Sequence, residues 1–348
     1  MSHKVDISKT FNLIFEPAKI RTYFNTMMEE NNRILFKDQS NGKSDKGVSY
    51  ISGFFMLIAF CVAGNILGGF LGIPLAAAMS GQSVSFIFEN LQELIGDPAF
   101  LREGQWIQSL SAIFGFLAST LFTAWWLSKR PLALTGLKGS ITGKQLIFTI
   151  FIIAAGLALS GALGYFTYKL PIPVNWRIRF DRMEAAYAEA AAGLVSLKSI
   201  PDLLISIVVL ALIPAICEEA FFRGGLQNYL YRATGKLWLS VIVVSIIFSA
   251  VHFSVYGFLS RVALGMVLGL IYQYSGRLWL SILAHFINNA AAVIVMYVAV
   301  GEGKKITDVL NDREGSYLGF IAIPLIIFLF IQYRKNNQSN NTSLEDGV

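Results

Sequence analysis

Apolar and polar positions along this chain fall into blocks rather than into helix faces. Eight runs, near residues 51–77, 107–127, 145–167, 203–223, 238–255, 259–274, 278–299 and 317–333, are almost continuously apolar, with polar stretches between them. A helix that is apolar all round has no face for water and belongs in lipid or deep in protein. At 1.5 Å of rise per residue, most of these runs match a hydrocarbon core about 30 Å thick. Only 259–274 is short. The pattern predicts an all-α polytopic membrane protein with about eight transmembrane helices.

Composition agrees. Hydrophobic residues make up 55% of the 348 positions and charged residues only 14%, with a mean hydropathy of +0.57. Such values are far from those of a soluble domain. The first apolar run begins near residue 50, so nothing resembles a cleavable signal peptide, and that helix is expected to serve as the targeting signal. The net charge of +6 could indicate nucleic acid, but its placement indicates topology. With the N-terminus inside, the cytoplasmic segments hold 17 Lys and Arg and the opposite segments 10, with Arg223 inside a run. That bias, and an even number of spans, predicts both termini in the cytoplasm and no nucleic-acid partner; a bacterial cell membrane is the expected location. Cys61 and Cys217 both lie in apolar runs and read as packing residues.

The chain divides into an N-terminal segment (1–50), accessory spans and loops (51–200), a core (201–300) and a last span with a polar tail (301–348). Spaced apolar residues from Phe11 to Phe36 allow an interfacial amphipathic helix, and a disordered tail is the alternative. The Ala- and Glu-rich stretch 179–199 predicts a short helix outside the membrane, read as a solvated connector. The tail "NNQSNNTSLEDGV" reads as flexible. Gly64, Gly68 and Gly72, and again Gly265 and Gly269, recur at every fourth position and permit close helix approach. No glycine-rich phosphate loop and no internal repeat is present.

One stretch breaks the apolar pattern. "CEEAFFRGG" (217–225) places two acids and a base at the end of an apolar run, where each charge costs about 2.5–3.5 kcal/mol. Glu219 and Arg223 stand i,i+4 and can pair. Glu218 points about 100° away and lacks a local partner. Pro214, four residues earlier, removes a helix donor and predicts a kink that opens space beside Glu218. Only three histidines occur; His252 and His285 both lie in apolar runs. With a hairpin apex near Gly235, Glu218 and His252 each lie 17 positions from the turn, about 25 Å along their helices. His285 lies eight positions beyond Arg277, about 12 Å into its span. If the hairpin protrudes roughly 10 Å, the three share one depth. Asn289 follows His285 on the same helical face, as His252 follows Phe248. A carboxylate, two imidazoles and an amide can then line one cavity.

"EEAFFR" (218–223), "FSAVH" (248–252) and "HFINN" (285–289) resemble, in order, the three motifs of the CAAX-protease and bacteriocin-processing (CPBP/Abi) family of intramembrane proteases. The resemblance implies an endopeptidase whose catalytic core is formed by spans four to seven. Glu218, assisted by His252, would activate water, and His285 and Asn289 would stabilise the oxyanion. Glu219, Arg223 and Phe248 would support them. Glu218, His252 and His285 also form a two-histidine, one-carboxylate set able to hold zinc. The chain lacks a compact His-Glu-x-x-His motif, which favours the metal-free account. The substrate implied is a peptide or membrane protein; a prenylated C-terminal motif is not the default. A catalytically silent scaffold and a transporter are the competing classes.

Overall fold

The computed structural model describes residues 42–95, 97–312 and 314–345. The expected interfacial helix between Phe11 and Phe36 lies outside them. The described residues are helical, with one isolated bridge between Lys43 and Ser49. Seven helices are long and apolar enough to cross a membrane: α1 (Tyr50–Ser80), α3 (Leu101–Leu127), α4 (Gly143–Lys169), α6 (Ile200–Thr234), α8 (Phe258–Ser275), α9 (Leu278–Gly301) and α10 (Tyr317–Asn337). Between them lie α2 (Val84–Leu94), α5 (Val174–Ala192) and α7 (Leu237–Ala250). The protein is a multi-pass membrane protein.

Several boundaries depart from the hydropathy pattern. The run 238–255 is not one helix: α7 stops at Ala250, and His252 lies in the turn beyond it. Hydropathy sees apolar residues there but cannot see the change of backbone direction at Phe253, whose φ is 52°. Helix α3 begins six residues earlier than its apolar run, at Leu101. The stretch read as a flexible tail continues α10 helically through Glu345; no Gly or Pro interrupts it before Gly347. The helix expected at 179–199 forms five residues earlier, at Val174, directly after Pro173.

Local chemistry explains the helix ends. Ser49 accepts a hydrogen bond from the Ile51 N–H at the start of α1, and Gly81, at φ 72°, closes its end. Gly235, at φ 67°, forms the apex between α6 and α7, and its N–H reaches the Tyr231 carbonyl at 2.8 Å. Pro214 does not break α6. The helix widens to π geometry over Ile207–Leu212 just before it, and again over Ala220–Gln227. Such wide turns relieve a missing or displaced backbone bond and recur at functional sites.

Packing follows membrane logic. Helix α1 lies against α3, where a Cβ on Gly68 would stand 2.5 Å from the Leu110 carbonyl oxygen. The glycine stripe therefore sets the approach of the two backbones. Large apolar side chains such as Phe55, Phe151 and Val295 face outward, each about 60% exposed, as lipid-facing positions should. The interior is partly polar: Glu219, Arg223 and Asn228 are fully buried. Around them packs an aromatic core that includes Tyr50, Phe54, Phe221, Phe222, Tyr229 and Phe248.

Candidate active site

The buried charges of α6 are held by three other helices. Arg223 Nη1 donates to Glu219 Oε1 at 2.7 Å, and its Nη2 donates to the Gly265 carbonyl of α8 at 3.1 Å. The guanidinium also lies over the Phe248 ring of α7, 4.8 Å from its centroid. At Gly265, α8 also comes close to α7; a Cβ there would sit 3.0 Å from Ser245 Cβ. The pairing read from the i,i+4 spacing is present, and its environment makes sense of the burial: a buried charge must be paired and hydrogen-bonded.

Glu219 has a second partner that spacing does not reveal. His285 Nδ1, on α9, donates to the same Glu219 Oε1 at 2.9 Å. A carboxylate accepts, so Nδ1 carries the proton and the ring is locked in orientation. Its other nitrogen, Nε2, lies 3.9 Å from Glu218 Oε2. That Glu218 oxygen is buried and has no hydrogen-bond partner. The two adjacent glutamates thus meet opposite nitrogens of one imidazole, one bonded and one merely facing.

His252 is oriented from its own chain. Its ring contacts the Phe248 carbonyl through Nδ1 at 2.7 Å. A carbonyl only accepts, so Nδ1 carries the proton and Nε2 of the neutral ring keeps its lone pair. Asn289 is oriented by a neighbour that the sequence analysis did not single out: Asn288 Nδ2 donates to Asn289 Oδ1 at 2.9 Å. This leaves the Asn289 amide N–H groups as donors. The Phe248 ring packs between Arg223 and both histidines, with centroids 5.0 Å from His252 and 5.7 Å from His285.

Glu218, His252, His285 and Asn289 all line one cavity of about 570 Å³. Its wall is not confined to spans four to seven. Gln108 of α3 contributes, and Tyr187, Ala190 and Ala191 of α5 cover part of it. The segment read as a solvated connector is therefore part of the site. Its end is tied to α3, where Gln105 Nε2 donates to the Leu194 carbonyl at 2.8 Å; Arg102 of α3 pairs with Asp202 in the first turn of α6 at 2.8 Å.

The zinc set considered from the sequence does not assemble in this geometry. Among the described residues no three His, Cys, Asp or Glu side chains stand together at ligand spacing. Each ring gives its Nδ1–H to an acceptor and keeps Nε2 unprotonated, the arrangement that a metal-ligating histidine also uses.

Fold and cavity together define a helical multi-pass membrane protein with a carboxylate–imidazole–amide site enclosed by its bundle. Residues 200–291 match the Rce1-like family, described as type II CAAX prenyl endopeptidase Rce1-like. The matched segment contains all three motifs and agrees with the resemblance they carry. No curated protein and no solved structure matches the chain.

Proposed function

We propose that the protein is an intramembrane endopeptidase that hydrolyses a peptide bond of a peptide or membrane-associated protein. The observation that carries this reading is the buried, unpartnered Glu218 Oε2, facing His285 in a cavity shared with His252 and Asn289. An orphaned carboxylate oxygen in a protein interior is costly, and beside a cavity it is poised to receive a proton from water.

In this reading Glu218 takes a proton from a water, which the His252 Nε2 lone pair orients by accepting its other hydrogen, as the water oxygen attacks the scissile carbonyl carbon. The developing oxyanion is met by the Asn289 amide donors. His285 Nε2 can add a hydrogen bond only when its ring is doubly protonated, because Nδ1–H is already committed to Glu219. The C–N bond then breaks, and the proton held by Glu218 passes to the leaving amine. Helix positions and the Glu219–Arg223 pair hold Glu218, His285 and Asn289 rigid, which is what preorganised catalysis needs.

The test compares protein termini, by mass spectrometry, in membranes from cells making the wild type or Glu218→Gln at equal levels. Termini present only with the wild type establish proteolysis and identify the substrate and cut. Identical termini, with Glu218→Gln still rescuing a deletion strain, would instead leave a scaffold. The proposed chemistry is metal-free, so cleavage by purified protein should be unchanged by a zinc chelator; loss restored by added zinc would overturn that part.

A further inference from the structure

His252 is the one site residue that no regular helix holds. Helix α7 ends at Ala250, two residues before it, and the next residue, Phe253, is the only non-glycine residue at positive φ among those described. A bulky side chain rarely adopts that conformation, and it persists only where the surroundings enforce it. Phe253 itself cannot be the cause, since its side chain is 76% exposed.

The enforcing group comes from α5. Glu184 is buried, and its carboxylate accepts from Ser254 Oγ at 2.9 and 3.1 Å and from the Tyr256 N–H at 3.0 Å. Both partners lie in the turn just beyond His252. Ser254 Oγ accepts in turn from the Gly257 N–H at 3.3 Å. One turn earlier on the same helix, Asp181 receives the Tyr256 hydroxyl at 2.6 Å, and Arg177 reaches that hydroxyl at 3.2 Å. Charge-assisted bonds of this kind are stronger than neutral ones. Three positions beyond Glu184, Tyr187 faces the cavity, followed by Ala190 and Ala191. One helix therefore grips the histidine turn with its middle and roofs the cavity with its C-terminal half.

We propose that Glu184 is a positioning residue for His252, so that docking of α5 over the cavity and correct placement of the histidine are one event. The role in catalysis rests on the proteolysis reading; the geometric role does not. Losing the carboxylate frees Ser254 Oγ and the Tyr256 N–H, lets the turn at Phe253 relax, and moves His252 away from Glu218. The protein should still fold, because the chain just beyond α5 stays tied to α3 through Gln105 and the Leu194 carbonyl.

The chain has three histidines, so protein labelled with nitrogen-15 only at histidine gives a readable imidazole spectrum in nanodiscs. His252→Gln and His285→Gln variants assign the two rings of the site. Glu184→Ala is expected to shift or broaden the His252 signals while leaving those of His285 in place. With a quenched peptide spanning a wild-type-specific cut, kcat should fall about 10- to 100-fold at nearly constant KM. Glu184→Gln, which keeps an acceptor oxygen, should retain most of the rate. Unchanged His252 signals in folded Glu184→Ala would overturn the proposal, as would an unchanged kcat. Should Glu184→Ala not fold, Ser254→Ala removes a single donor and must move the same signals. A wild type without Glu218-dependent cleavage would sink the proteolysis reading instead, and the His252 spectrum would still decide the clamp.

Discussion

Asn289 and Arg223 separate what the site does from what holds it. Asn289 offers its amide donors where the oxyanion is expected, and nothing structural depends on them among the described residues. Asn289→Ala should therefore lower kcat by about 10²–10³ with little change in KM or thermal midpoint, the usual loss for one oxyanion donor. Steady-state kinetics on the purified protein checks this. Arg223 behaves oppositely. It is fully buried and bonds both Glu219 and the Gly265 carbonyl, so Arg223→Ala leaves Glu219 charged and under-satisfied. A stability loss of about 3–5 kcal/mol is expected, read as a lower unfolding midpoint in detergent. His285 should lose its orientation with it, because its Nδ1 partner is that same Glu219. At this scale the pair Glu219–Arg223 was legible from spacing alone. The bond from Glu219 to His285 was not, since 66 residues separate them and no local pattern encodes that contact.

Helices show a different balance. Hydropathy located seven crossing helices to within a few residues at most ends, because the cost of exposing backbone to lipid leaves long apolar stretches only one regular form. It failed at α7, where fourteen helical residues give a length of only about 21 Å, and the remaining apolar residues form the turn that carries His252. It also misjudged α5, whose polar composition reads as solvated although Glu184 and Ala188 are buried. The glycine spacing in α1 did transfer to structure. Gly68→Leu would drive a side chain into the Leu110–Ser111 backbone and should part α1 from α3. The expected outcome is a lower thermal midpoint without a change in the residual enzyme's pH profile, measured on purified protein. An unaltered midpoint would mean that the two helices can separate at no cost.

For the whole molecule, the distribution of basic residues remains the argument about orientation. Seventeen Lys and Arg against ten favour both termini on the cytoplasmic side, provided that α7 crosses or thins the bilayer to count as an eighth span. A C-terminal fluorescent-protein fusion that matures only in the cytoplasm should fluoresce; a dark fusion paired with an active periplasmic reporter would reverse the assignment.

The membrane class, the approximate spans and the ionisable residues that have no reason to be in apolar runs can all be read from the residues in order. These are legible because burying charge and exposing backbone are penalties each segment carries alone. Which carboxylate meets which imidazole, that His252 sits in a turn, and that α5 holds that turn from 70 residues away emerge only from the packed helices. Lipid and protein interior are equally apolar, so hydropathy cannot tell which helix face meets which neighbour. The arrangement rests instead on a few small residues and buried polar contacts, and those become visible only when the helices are side by side.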